Sequence, residues 1–154
     1  MPFQFAATGY MFDISNMSQS SLTLCLELSR AYARLVRRLD GRLGALHGVS
    51  FGDFAILQAL AHASAGRLRR VDLAEALGLT PAAVTRALIP LEKIGLVKRE
   101  IDKNDARVGF ASLTRAGEQL LSHATEAADQ ASAEALSADA TQLGELSRLV
   151  AKLL

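Results

Sequence analysis

Arg86 is the side chain in this sequence best placed to recognise a polyanion. It closes the run Thr80-Pro81-Ala82-Ala83-Val84-Thr85-Arg86. A helix capped by Thr with Pro at its first position leaves its leading amides unpaired and its positive dipole end open. Such an end accepts a phosphate or a base edge. Ala82 and Ala83 are small enough for close approach, and Thr85 and Arg86 are the first side chains past the cap able to bond. A guanidinium matches guanine N7 and O6 as well as phosphate oxygens. A second group, Lys103, Asn104, Asp105 and Arg107, crowds the short loop DKNDAR. A third, Arg69 and Arg70 with Arg67 beside them, stands just ahead of the helices; phosphate contact and a solvated loop are both open readings there. No Ser/His/Asp constellation, phosphate-binding Gly loop or acid–base pair occurs, so neither an enzyme nor a cofactor is expected. His47, His62 and His123 are scattered, which argues against a metal site.

The elements around Arg86 are legible from spacing. Residues 73–107 read LAEALGLTPAAVTRALIPLEKIGLVKREIDKNDAR. Two helices that nearly touch need a small residue at the contact, a glycine where the turn takes positive φ, and an apolar residue where the second packs on the first. Ala74, Gly78 and Val84 supply these, with Leu73, Leu77, Leu79 and Leu88 in the remaining apolar slots. The second helix is expected over residues 80–94, kinked at Pro90 and ended by Gly95. Strands are expected over residues 96–101, with Val97, Arg99 and Ile101 on one face, and over residues 108–113, joined by the charged loop as a wing. This predicts a winged helix-turn-helix that lays one helix in a DNA major groove; a plain helical hairpin gives no reason for the loop DKNDAR.

The flanks predict long helices. Residues 20–46 repeat apolar positions every three to four residues at Leu22, Cys25, Leu28, Tyr32, Leu35, Leu39, Leu43 and Leu46, and Gly48 closes the segment. A helix of that length spans about 40 Å, more than one small core covers, so part of its stripe is expected to meet another subunit. Arg30, Arg34, Arg37, Arg38 and Arg42 interleave it, either as a solvated face or as intersubunit or phosphate contacts. Ser50 and Asp53 form a capping-box-like pair before a helix carrying Phe54, Ile56, Leu57, Leu60 and Ala61 inward, with Val49 and Phe54 at staple spacing. After Thr114, Leu120, Leu121, Ala124, Ala128, Ala131 and Ala135 form another stripe, and from Asp139 a last helix carries Leu143, Leu146, Val150 and Leu153. The fold expected is mainly α with a small β-hairpin wing. Residues 49–113 form the winged helix-turn-helix, residues 20–48 and 114–154 the helical dimerisation region, and residues 1–19 a flexible leader or an arm on a partner.

Charge is distributed in the same way. The 154-residue chain carries a net charge of only +1. Residues 67–107 hold nine Lys/Arg against six Asp/Glu, whereas residues 114–154 hold three against six. A basic head beside an acidic body fits nucleic-acid binding by one part only. The single cysteine excludes an intrachain disulfide and fits a reducing, cytoplasmic compartment. No apolar run approaches the roughly 20 residues of a membrane helix.

This order of elements resembles the MarR family of bacterial transcriptional regulators. The resemblance covers residues 22–154 and rests on LAEALGLTPAAVTR, LEKIGLVKR, the wing pattern Asp102, Asp105, Arg107 and LTRAGEQLL. It implies a homodimer with intertwined first and last helices, and two winged heads on one pseudo-palindromic stretch of double-stranded DNA. The helix over residues 80–94 would read the major groove, Arg107 would enter the minor groove, and Asp105 would hold the wing. It also implies a repressor released by a small amphipathic or aromatic effector. Three departures stand out: Asn104 where a second wing Arg is frequent, Ala82 and Ala83 in place of polar residues, and Pro90 in place of a polar one. Asn104 implies a weaker or differently selective minor-groove grip, Ala82 and Ala83 leave more of the affinity to phosphate contacts and DNA shape, and Pro90 re-aims the end of the helix.

Cys25 lies where peroxide-sensing members keep a reactive thiol. Those members pair it with tyrosines; here Ser29 is one turn on and Tyr32 two. A small buried side chain is therefore expected, with redox sensing as the alternative. A winged-helix module that binds protein and not DNA is the rival from another class: Ala82 and Ala83 permit it, and Arg86 and the basic wing oppose it.

Overall fold

The computed structural model describes residues 20–101, 109–137 and 139–153. Contacts divide the chain into two units, Met1–Ala33 and Arg34–Leu154. From Ser21 on, the described part of the first is helical, the beginning of α1 (Ser21–His47). Its apolar side chains are exposed: Leu22 is 68% and Tyr32 65% accessible.

In the second unit α1 continues to His47, carrying the buried Leu39 and Leu43. It is followed by α2 (Phe51–Ala61), β1 (Arg67–Arg69), α3 (Arg70–Ala76) and α4 (Pro81–Lys93). Then come β2 (Val97–Ile101), β3 (Gly109–Leu113), α5 (Arg115–Leu136) and α6 (Ala140–Val150). The capping box expected at α2 is present. Ser50 Oγ accepts from the Asp53 N–H at 3.1 Å, and Asp53 accepts from the Ser50 N–H at 2.9 Å. The Asp40 carboxylate of α1 takes the next free amide, that of Phe51, at 2.7 Å, which ties α1 to the start of α2. Phe54, Ile56, Leu57 and Leu60 point inward from several sides of α2, so this helix is the hub of the core. Ala61, expected inward, is exposed because it lies in the last turn, past the core.

The helix-turn-helix forms as its spacing requires. Ala74 and Val84 are buried at 3% and 0% exposure. Gly78 takes φ +63°, and the Leu79 N–H returns to the Ala74 carbonyl at 2.8 Å. Leu73 and Leu88 fill the core. Leu79 does not: at 45% exposure it sits on the outer side of the turn, because the backbone reversal at Gly78 turns its side chain away. The helix α4 runs from Pro81 to Lys93 with Pro90 inside it.

The two expected strands pair as a hairpin, β2 with β3, and a third strand joins them. The sheet has three antiparallel strands in the order β1-β3-β2, with Arg67 opposite Ser112, and Lys98 opposite the same serine from the other side. Arg67, Leu68 and Arg69 form its third strand and not a loop. Val97 and Ala111 pack inward, whereas Arg99 and Ile101 are exposed, because β2 continues past the core toward residues 102–108.

One joint fixes α5 to the head. Gly95 ends α4 with φ +76°. The Thr114 hydroxyl, the N-cap of α5, donates to the Gly95 carbonyl at 2.6 Å and accepts from the Gly117 N–H at 3.1 Å. The Cα of Gly117 packs directly on the Leu96 carbonyl, leaving no room for a Cβ. Further along α5, Ala124, Ala127, Ala128 and Ala131 are buried. On α6 no side chain is buried, and its leucines are exposed. Among the described residues no single helix is long and apolar enough to cross a membrane.

Candidate nucleic-acid interface

The interface expected from the sequence centres on α4. Thr80 caps it: its hydroxyl accepts from the Ala83 N–H at 3.2 Å, and Pro81 occupies the first turn, where a missing donor costs nothing. Val84, Leu88 and Leu91 form its buried stripe. The opposite stripe carries Ala82, Arg86, Ile89 and Lys93, all exposed and spaced four, three and four residues apart. Arg86 thus projects from the outer face, and it makes no ion pair among the described residues. Thr85 is more constrained than expected. Its hydroxyl donates to the Pro81 carbonyl at 2.9 Å, so its proton is committed to its own helix.

The arginines ahead of α3 have separate duties. Arg69 forks onto Asp72, with Nε and one terminal nitrogen each 2.7 Å from a carboxylate oxygen. That hydrogen bonding raises the Arg69 pKa above its ordinary value and lowers that of Asp72. Two of the five donors of Arg69 are therefore occupied, and the rest remain open to a phosphate. Arg70 is half-buried. Its guanidinium lies over Gly109, where a Cβ would stand 3.5 Å away, and its Nε is enclosed with no hydrogen-bond partner among the described residues.

A further cation, Arg67, belongs to a network that charge counting does not reveal. Arg67 lies over the Phe110 ring, 4.4 Å from its centroid, and pairs with Glu100 at 3.3 Å. Glu100 also receives the Ser112 hydroxyl at 2.8 Å and Lys98 at 3.1 Å. The Ser112 bond first, then Lys98, hold the Glu100 carboxyl below its usual range, against some desolvation. All five residues share one face of the sheet, so the base of the wing is fixed by cross-strand polar contacts. Alternation along β1 and β3 was the available signal, but three residues of β1 are too few to show it.

Lys103, Asn104, Asp105 and Arg107 lie outside the described residues. Cys25 is exposed, which corrects the expectation of a small buried side chain. Leu22 and Leu28, on the same stripe, are exposed too. No group of His, Cys, Asp and Glu that could hold a metal occurs among the described residues.

Comparison with known proteins agrees with this geometry. A family model described as MarR family matches residues 50–108, from the cap of α2 to just before β3. The HTH-type transcriptional regulator MhqR of Bacillus subtilis (strain 168) is 30% identical over 105 residues, covering 68% of this chain and 70% of that protein. This chain belongs to the MarR family. It is a DNA-binding transcriptional regulator. Among solved structures, Sco3205, a MarR family transcriptional regulator from Streptomyces coelicolor in complex with DNA, superposes with a TM-score of 0.74 at 29% identity, over 87% of this chain and 92% of that one. The transcriptional regulator BldR from Sulfolobus solfataricus gives a TM-score of 0.68 at 29% identity, over 87% and 99%.

Proposed function

We propose that this chain is a cytoplasmic homodimeric repressor that grips a pseudo-palindromic operator and is released by a small amphipathic or aromatic effector. The observation that carries this reading is the outer face of α4: a capped, open N-terminus with Arg86 aimed away from the core. Residues 49–113 serve as the DNA-binding head. Ala82, Ala83, Thr85 and Arg86 lie against the major groove beside the Thr80 cap. Arg69 and Arg70 stand near phosphates, and Lys103, Asn104 and Arg107 form the wing contact, with Asp105 orienting Arg107.

Dimerisation is supported by apolar surface at both ends of the chain, residues 20–48 and 114–154. Leu22, Leu24, Leu26 and Leu28 on α1 are 40–68% exposed, and Leu143, Leu146 and Leu149 on α6 are 37–61% exposed. Leucines at that density on two helices mark a surface that a partner covers. The effector reading is supported by a cleft of about 560 Å³ between α1 and α5 within the larger unit. Arg38, Arg42, Leu46, Ala131 and Ala135 line it, with Glu134 as its one acid. Two guanidiniums beside apolar carbon suit an anionic ring compound.

The test is selection of bound duplexes from random DNA with the purified chain, alongside sedimentation. Twice the chain mass at micromolar concentration is expected, together with an enriched inverted repeat whose half-site centres are about 10 bp apart. A stable folded monomer, or enrichment of a single half-site, would contradict the dimeric reading.

A further inference from the structure

We propose that Ile89 is a specificity-determining residue that reads a thymine methyl group in each operator half-site. The inference rests on the groove-binding reading of α4 and names the bases that this helix selects.

The helix offers its partner little hydrogen bonding. On the outer stripe of α4, Ala82 and Ile89 alternate with Arg86 and Lys93. Thr85, at the side of that stripe, has spent its proton on the Pro81 carbonyl. Pro90, also exposed, has no amide proton and no polar side-chain atom. Between Thr80 and Lys93, Arg86 is therefore the one outward side chain with free donors among the described residues, and guanine is the base edge it matches best. Between Arg86 and Lys93 the outer stripe is carbon.

Ile89 is 58% exposed and lies on the side of α4 opposite Val84 and Leu88, so its side chain contributes nothing to the core. It follows Arg86 by three residues, about 4.5 Å along the helix axis. That separation is comparable to the step from one base pair to the next. Only one base edge in the major groove presents carbon to carbon: the C5-methyl of thymine. Arg86 and Lys93 flank Ile89 with positive charge, so the phosphates beside the groove draw this carbon surface to DNA in preference to another apolar surface. A half-site with a guanine next to a thymine follows, with Arg86 on the first and Ile89 on the second.

The experiment deletes the methyl from the DNA and the contact from the protein independently. The full chain is used to select duplexes from random DNA, and each thymine of the selected site is then replaced by deoxyuridine in turn. Losing one buried methyl contact corresponds to about fourfold weaker binding. Wild type is expected to lose about fourfold at one thymine in each half-site, while Ile89→Ala binds thymine and uridine duplexes alike. Ile89→Val, which keeps two methyls at the same place, should retain part of the discrimination. The residue is exposed, so circular dichroism should show all three proteins equally folded. If a site is enriched but no thymine discriminates wild type from Ile89→Ala, the assignment of Ile89 is overturned and groove binding stands. If no duplex is enriched at all, both fall.

Discussion

Replacing Gly117 by alanine is expected to destabilise the fold by about 3 kcal/mol or more, and two opposing effects decide the sign. Alanine in a helix is favoured over glycine by about 1 kcal/mol. Against this, a Cβ at residue 117 would overlap the Leu96 carbonyl, a backbone atom held in place by the Thr114 N–H at 3.1 Å and by the strand that follows. Leu113 side-chain carbon closes the other side at 3.3 Å. Backbone cannot swing aside as a long side chain can, so α5 must lift from the end of α4, and overpacking of that kind outweighs the helical gain. The Thr114 bonds to Gly95 and Gly117 would be lost with it. Urea unfolding of the variant should show the midpoint falling; a stability within about 0.5 kcal/mol of wild type would mean that the joint is looser than described. Because this joint links the end of α4 to α5, loss of DNA binding should accompany loss of stability.

Arg86→Ala is expected to weaken operator binding by tenfold or more for each half-site while leaving the fold intact. A bidentate guanidinium–guanine contact contributes about 1–3 kcal/mol, and a two-fold complex loses it twice. The fold is spared because Arg86 is exposed and is absent from the core cluster and the ion pairs of the described residues. Affinity measured by fluorescence anisotropy at two salt concentrations separates the two roles of this side chain. A base contact lowers affinity for the selected site far more than for random duplex, whereas a phosphate contact weakens both alike and reduces the salt slope by about one per half-site. Unchanged affinity at every salt concentration would remove Arg86 from the interface.

Much of this architecture was readable before any coordinates, wherever a residue type answers a local requirement. Gly78 at positive φ, Thr80 before Pro81 and Ser50 with Asp53 are requirements met within four residues, and each forms as expected. What escaped depends on partners distant in sequence. The strand β1 exists because β3 pairs with it, and the composition of Arg67-Leu68-Arg69 says nothing of that. Distance in sequence also hid the stacking of Arg70 on Gly109, whereas the pairing of Arg69 with Asp72, only three residues apart, is a side-chain choice made by the folded surroundings. The apolar period of α1 was read correctly, but a period does not say which stretch its own chain covers. Leu39 and Leu43 are buried, whereas Cys25 and Leu22 are not. At the site, Arg86 was legible from its place after the cap. Ile89 was not, since an isoleucine in a helical pattern reads as core until the buried stripe is known to run through Val84, Leu88 and Leu91.

The central claim is that α4 lies in the major groove with Arg86 on guanine, and methylation interference on the selected duplex tests it most directly. Dimethyl sulfate marks guanine N7 in the major groove and adenine N3 in the minor groove, so one reagent reports both surfaces. Wild type should fail to bind duplexes methylated at N7 of one guanine in each half-site, the two positions related by the operator dyad. The Arg86→Ala protein should be indifferent to methylation at those same guanines. Interference confined to adenine N3, or no difference between wild type and Arg86→Ala at any guanine, would contradict it.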